Sequence, residues 1–141
     1  MGVGQDSILD KAKKIVDAMK AENKQSRKLE IKVTTSQLRN FLSEVVKISN
    51  QIEVLEAKRL RGKESGDDLD TLPQDIKDAI DGIDVKLIYA AGRDRVVGSF
   101  YKKSNIYEEI QKAKEGIKAY KKFAALMEAV VAVHKYNGGR D

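Results

Sequence analysis

Apolar residues recur every three to four positions along most of this chain, the period of helices buried on one side. The first run is Ile8, Leu9, Ala12, Ile15, Val16 and Met19, with Ser7 placed to cap it, and it fades near Glu22–Lys24. Leu29, Ile31 and Val33 then alternate with polar residues. That is strand period over a stretch too short to build a sheet alone, so 24–34 reads as an extended connector laying three side chains on the core. A second run, Leu38, Phe41, Leu42, Val45, Ile48, Ile52 and Leu55, predicts a helix from about Thr35 to Leu60. Its length is roughly 39 Å at 1.5 Å per residue, which offers surface to partners as well as a core face. Residues 61–74 read as a flexible loop ending at Pro73. Helix resumes near Gln74, with an interruption at Gly82, and continues through Asp84–Arg95; Val96–Lys103, around Gly98, reads as a turn. Ser104 or Asn105 opens the last region, where Ile106, Ile110, Ala113, Ile117, Tyr120, Ala124, Met127, Val131 and His134 alternate steps of four and three. Gly116 bends or divides that region, and Gly138-Gly139 supplies its stop. The sum is an all-α domain spanning 1–141, a bundle of five to six helices with long second and C-terminal helices.

One helix start is fixed more tightly than the rest. Thr34 can accept a backbone N–H three residues on, Gln37 can reach back to the Thr34 amide, and Val33 with Leu38 can form a hydrophobic staple. Arg39, in the second turn, is therefore a placed cation. Charge then changes the picture. Residues 64–84 hold eight acidic side chains against Lys77 alone, a net of −7 in a chain of +5, so the remainder carries +12. A basic body suits a polyanion, and the acidic segment suits a cationic protein partner.

Composition removes most chemistry. With no cysteine there is no disulfide, thiolate metal site or cysteine nucleophile. The single histidine, His134, falls on the apolar seam, so zinc sites and histidine triads lack parts. Asp67-Asp68-Leu69-Asp70 lacks the glycine and closing glutamate of a calcium loop. The aspartates of 75–84 have helix-surface spacing. No glycine-rich phosphate loop, signal region or membrane-spanning run is present. We expect a cytoplasmic protein that is not an enzyme and uses no cofactor or metal.

Cations on helices remain. Arg39, Ser43 and Asn50 share one side of the second helix; Lys47, Gln51 and Lys58 share another, with Arg59 beyond. Lys86, Tyr89 and Arg93 put a ring between two cations on one helix side. Cations for phosphates and a ring for bases are what a single RNA strand needs. The candidate RNA-binding residues are Arg39, Lys47, Lys58, Arg59, Lys86, Tyr89 and Arg93. Lys114, Lys118 and Lys121 form another row that reads as a solvated face. Two readings outside any family stay open on these features: a general single-stranded RNA-binding module, or a basic protein scaffold.

Three blocks carry a resemblance: Thr34-Thr35-Ser36-Gln37-Leu38-Arg39-Asn40-Phe41-Leu42, then Val85-Lys86-Leu87-Ile88-Tyr89-Ala90-Ala91-Gly92-Arg93, then Phe123 through Lys135. Together they resemble the small helical subunit of the type III-A CRISPR interference complex, the Csm complex. The resemblance implies a non-catalytic subunit of an RNA-guided antiviral assembly. Several copies would stack as an inner filament beside the backbone subunits and the large subunit, facing guide RNA and target RNA. Arg39, Lys86 and Arg93 carry over as RNA contacts; Lys47 and Lys58 rest on helix geometry. Exposed apolar surface and the loop at 61–74 lead us to expect self-association of the isolated chain, including a homodimer by helix exchange.

Overall fold

The Asp10 N–H donates to Ser7 Oγ at 3.0 Å and so opens the first helix, α1 (Ile8–Asp17). The computed structural model describes residues 7–22, 29–31, 33–62 and 69–138. Five further helices lie among them: α2 (Thr35–Arg61), α3 (Gln74–Arg93), α4 (Arg95–Ser104), α5 (Ile106–Ala113) and α6 (Ile117–Tyr136). No described helix is long and apolar enough to cross a membrane.

Four expectations need correction. α1 stops at Asp17 rather than near Glu22, and Ile8 and Leu9 are exposed. The chain after it forms an antiparallel ribbon, β1 (Lys20–Glu22) with β2 (Leu29–Ile31), in register Lys20 to Ile31. Of the three connector residues, Val33 is buried, while the side chains of Leu29 and Ile31 fall outside the described set. Gly82 does not interrupt α3. The stretch read as a turn at Val96–Lys103 is α4, capped by Asp94, whose Oδ1 accepts from Val96 N–H at 2.8 Å and more distantly from Val97 N–H at 3.4 Å. α4 buries Val97 and Phe100. Gly98 is where it crosses α3 closely: a methyl there would lie 3.0 Å from the Ala91 carbonyl oxygen.

The last region does divide at Gly116, into α5 and α6. α6 is the central element, packed against α1, α2 and α5, while α3 packs against α2, α4 and α5. Its inward side chains include Ile117, Tyr120, Phe123, Leu126, Met127, Val130 and His134. His134 is a packed core residue: its Nε2–H donates to the Val33 carbonyl at 2.7 Å, which pins the chain just before α2. α2 contributes Leu38, Val45, Ile48 and Ile52 to the same core, with Phe41, Leu42 and Leu55 partly buried beside them.

One buried and one partly buried phenol give the core a pH sensitivity. Burial raises Tyr120, whose O–H donates to the Val45 carbonyl, from the ordinary 10 to about 12. Burial and the hydrogen bond to Asp84 raise Tyr101 to about 12 as well. Between these values the unfolded chain has lost protons that the folded chain keeps, so stability is fully present below pH 10 and falls as pH rises toward 12. Urea midpoints measured across that range should fall, and Tyr120→Phe should give a shallower fall; an equal slope in the variant would count against this assignment.

Candidate nucleic-acid interface

Two cappings and one side-chain bridge set the register of α2 against α3. Thr34 N–H donates to Gln37 Oε1 at 2.8 Å and Gln37 N–H donates to Thr34 Oγ1 at 3.1 Å, which closes the capping box. Gln37 has a third partner: its Nε2 donates to Asp94 Oδ2 at 3.0 Å. The start of α2 is thus tied to the junction of α3 and α4, and the two long helices run antiparallel from there. Further along, Lys86 of α3 reaches Glu44 of α2 at 2.7 Å. Between these ties Phe41, Ile83, Leu87 and Ala90 line an apolar cleft of about 170 Å³, rimmed by Gln37, Asn40, Glu44 and Lys86.

The rim is where the candidate residues gather. Lys47 and Lys86 flank Glu44, and both side chains are about two-thirds exposed, at 66% and 64%. Lys86 first, and Lys47 second, hold the Glu44 carboxyl below its ordinary pKa. Arg93 lies one residue before Asp94 and is exposed. Its guanidinium carbon stands 5.5 Å from the centroid of the Tyr89 ring, a cation–π contact that keeps both groups on the surface. Tyr89 is 66% exposed, next to the exposed Val85 and Ile88.

Not every candidate joins this seam. Arg39 is exposed and makes no ion pair among the described residues, but it lies eight residues before Lys47. At 3.6 residues per turn that places it about 80° round the helix. Measured from Glu44, which faces α3, it is about 140° round, so it lies on the outward side of α2, away from the seam. Lys58 shares the Lys47 side, about 16 Å further along the axis. Arg59 is half-buried, with Nη1 enclosed and without a hydrogen-bond partner among the described residues. Eighteen residues after Phe41, it falls on the same inward side of α2, further along the axis.

The acidic segment is also not one free face. Asp70 caps α6, Asp81 pairs with Lys114 at 2.9 Å, and Asp84 is buried, accepting from the Tyr101 hydroxyl at 2.7 Å. Asp75 and Asp78 remain exposed, the latter accepting from Gln74; Glu64, Asp67 and Asp68 lie outside the described residues. Lys121 pairs with Glu56 at 2.8 Å, so Lys114 and Lys121 tie α5–α6 to α3 and α2. The helix-surface reading fails for Asp84 because α4 is a helix that covers it. Asp94 and Glu44 were absent from the sequence-based candidates. Glu44 and Lys47 at i, i+3 were legible as a pair; the third member, Lys86, comes from a helix 42 positions later.

Comparison with known proteins adds an independent finding. The model of the family described as Csm2 Type III-A matches residues 9–140. The "CRISPR system Cms protein Csm2" of Streptococcus thermophilus is 29% identical over 136 residues, which cover 96% of this chain and 95% of that protein.

Proposed function

The chain belongs to the Csm2 type III-A family, and on that premise we propose that it is the non-catalytic small subunit of a type III-A CRISPR RNA-guided interference complex. Copies of it stack as an inner filament beside the backbone and large subunits, and each copy presents a basic helix seam to the guide and target RNA backbone. The observation that carries the RNA contact is the convergence of Lys47, Lys86 and Arg93 on the α2–α3 seam, with Tyr89 beside them; Arg39 adds an exposed cation on the outward side of α2. These groups are charged, exposed and held on rigid helices, and none forms part of a proton-transfer or nucleophilic arrangement. Such a surface lowers the repulsion between phosphates without reading bases, which pairing with the guide already does. The exposed Val85 and Ile88 and the free Asp75 supply apolar and acidic surface for neighbouring subunits.

Arg39→Ala with Arg93→Ala tests this reading. Both side chains are exposed, so the melting temperature should hold. Affinity for single-stranded RNA should drop about tenfold, and the slope of log K against log salt should become shallower by about 1.4, for two phosphates released. Filter binding across a salt series reads both. Unchanged affinity and slope would remove these arginines from the interface, and salt-independent behaviour of the unaltered protein would favour a scaffold that pairs only with proteins.

A further inference from the structure

Glu44 sits between two of the cations on the seam, and its geometry is that of an acceptor shared between two donors. Its Oε1 is 2.7 Å from Lys86 Nζ and its Oε2 is 3.1 Å from Lys47 Nζ. The two ammonium groups, one from α2 and one from α3, are therefore held on the two oxygens of a single carboxylate. A phosphate diester offers the same two features, negative charge and a pair of acceptor oxygens. The lysines are reachable from solvent at 66% and 64% exposure, while Glu44, at 25%, lies beneath them. A strand approaching from outside meets the ammonium groups first.

The arrangement is not needed to hold the helices together. Exposed ion pairs contribute little to stability, and α2 is already fixed to α3 by the Gln37–Asp94 bond and by the packing of Phe41 around Ile83 and Leu87. What the carboxylate does change is charge. Lys47, Lys86 and Glu44 together carry +1 where the two lysines alone would carry +2.

We propose that Glu44 is an internal phosphate mimic, a positioning residue that occupies Lys47 and Lys86 in the free protein and competes with RNA phosphates for them. It keeps the two lysines aligned and limits how tightly one copy grips the strand. This rests on the RNA-binding reading above. In a filament of many weak contacts, a tempered single contact lets the target strand dissociate after use, because affinities of linked sites multiply.

Glu44→Gln keeps the shape and removes the charge. With the full chain and a single-stranded RNA of mixed sequence, it should bind about fivefold more tightly at about 50 mM salt and about twofold more tightly at about 200 mM, with a salt slope steeper by about 0.7, the increment for one further phosphate neutralised. Glu44→Asp, which keeps the charge, should stay near the unaltered protein. In a Lys47→Met, Lys86→Met background the gain from Glu44→Gln should vanish. A purely structural role would shift the melting temperature and leave the salt slope alone. If the unaltered chain binds RNA in a salt-dependent way and Glu44→Gln is equal or weaker, the mimic is overturned while the RNA-binding reading stands. If the unaltered chain shows no salt-dependent binding, both fall. If the gain persists without the two lysines, it comes from long-range charge and the mimic is again overturned.

Discussion

Gly116→Ala is expected to cost about 3 kcal/mol and to lower the melting temperature by about 10 °C. Gly116 lies in extended backbone between α5 and α6, a conformation any residue adopts, so the reason is space and not backbone freedom. The turn at residue 70 crosses directly over it. The Ile117 N–H donates to the Asp70 carbonyl at 2.8 Å, and the Lys118 N–H donates to Asp70 Oδ1 at 2.8 Å. Asp70 thereby caps α6 from 47 positions away, in place of a local cap. A methyl on Gly116 would stand 2.3 Å from Asp70 Oδ2 and 3.1 Å from its carbonyl oxygen. The side chain can swing aside only by releasing the Lys118 amide, and the carbonyl can retreat only by lengthening its bond to Ile117. Each loss leaves an N–H at the start of the central helix without its partner. Calorimetry measures the effect, and a double-mutant cycle assigns it. In an Asp70→Ala background the oxygen that collides is gone, so the cost of Gly116→Ala should shrink to about half. Equal costs in both backgrounds would show that the crossing is not the cause.

The same tie explains which parts of the fold were legible in the sequence. The start of α2 was readable to the residue because its capping box is made from Thr34 and Gln37, three positions apart. The apolar stripes of α1, α2 and α6 were readable because burial on one side leaves a period. α4 was not. It contains Gly98, carries Lys102-Lys103 in its last turn and has only ten residues, a composition that locally favours a turn. What makes it a helix is the Asp94 cap and the packing of Val97 and Phe100, and the glycine marks a close crossing with Ala91. The candidate interface divides in the same way. Residue types and helix spacing gave Lys47, Lys86, Tyr89 and Arg93, because each lies on a predictable side of one helix. Which sides meet depends on contacts across 42 and 57 positions, Glu44 with Lys86 and Gln37 with Asp94. The half-burial of Arg59 was hidden for a related reason: periodicity cannot place the elements that cover its side of α2.

Asp94→Ala should cost about 2 kcal/mol or more, and Asp94→Asn about 1 kcal/mol less, since it keeps the cap alone. Asp94 does two things with one carboxylate. Oδ1 accepts the first N–H groups of α4, and Oδ2 accepts Gln37 Nε2, the residue that also closes the α2 capping box. Loss of a capping side chain typically costs about 1 kcal/mol, and a hydrogen bond to a charged acceptor contributes about 1.5 kcal/mol or more. Alanine removes both. Asparagine keeps an oxygen for the cap, but its amide nitrogen stands where Oδ2 accepted, so the bond from Gln37 Nε2 is lost along with the charge beside the α4 N-terminus. The measurement is thermal melting together with amide exchange. In the alanine variant Val96 and Val97 should exchange faster, and so should the first turn of α2, since Gln37 loses its anchor. That second signal separates a shared tie from a simple cap: a variant that frays α4 alone would mean that the Gln37 bond does not fix the seam. If both helix starts loosen together, the register of α2 on α3, and with it the spacing of the cations along their junction, depends on this single carboxylate.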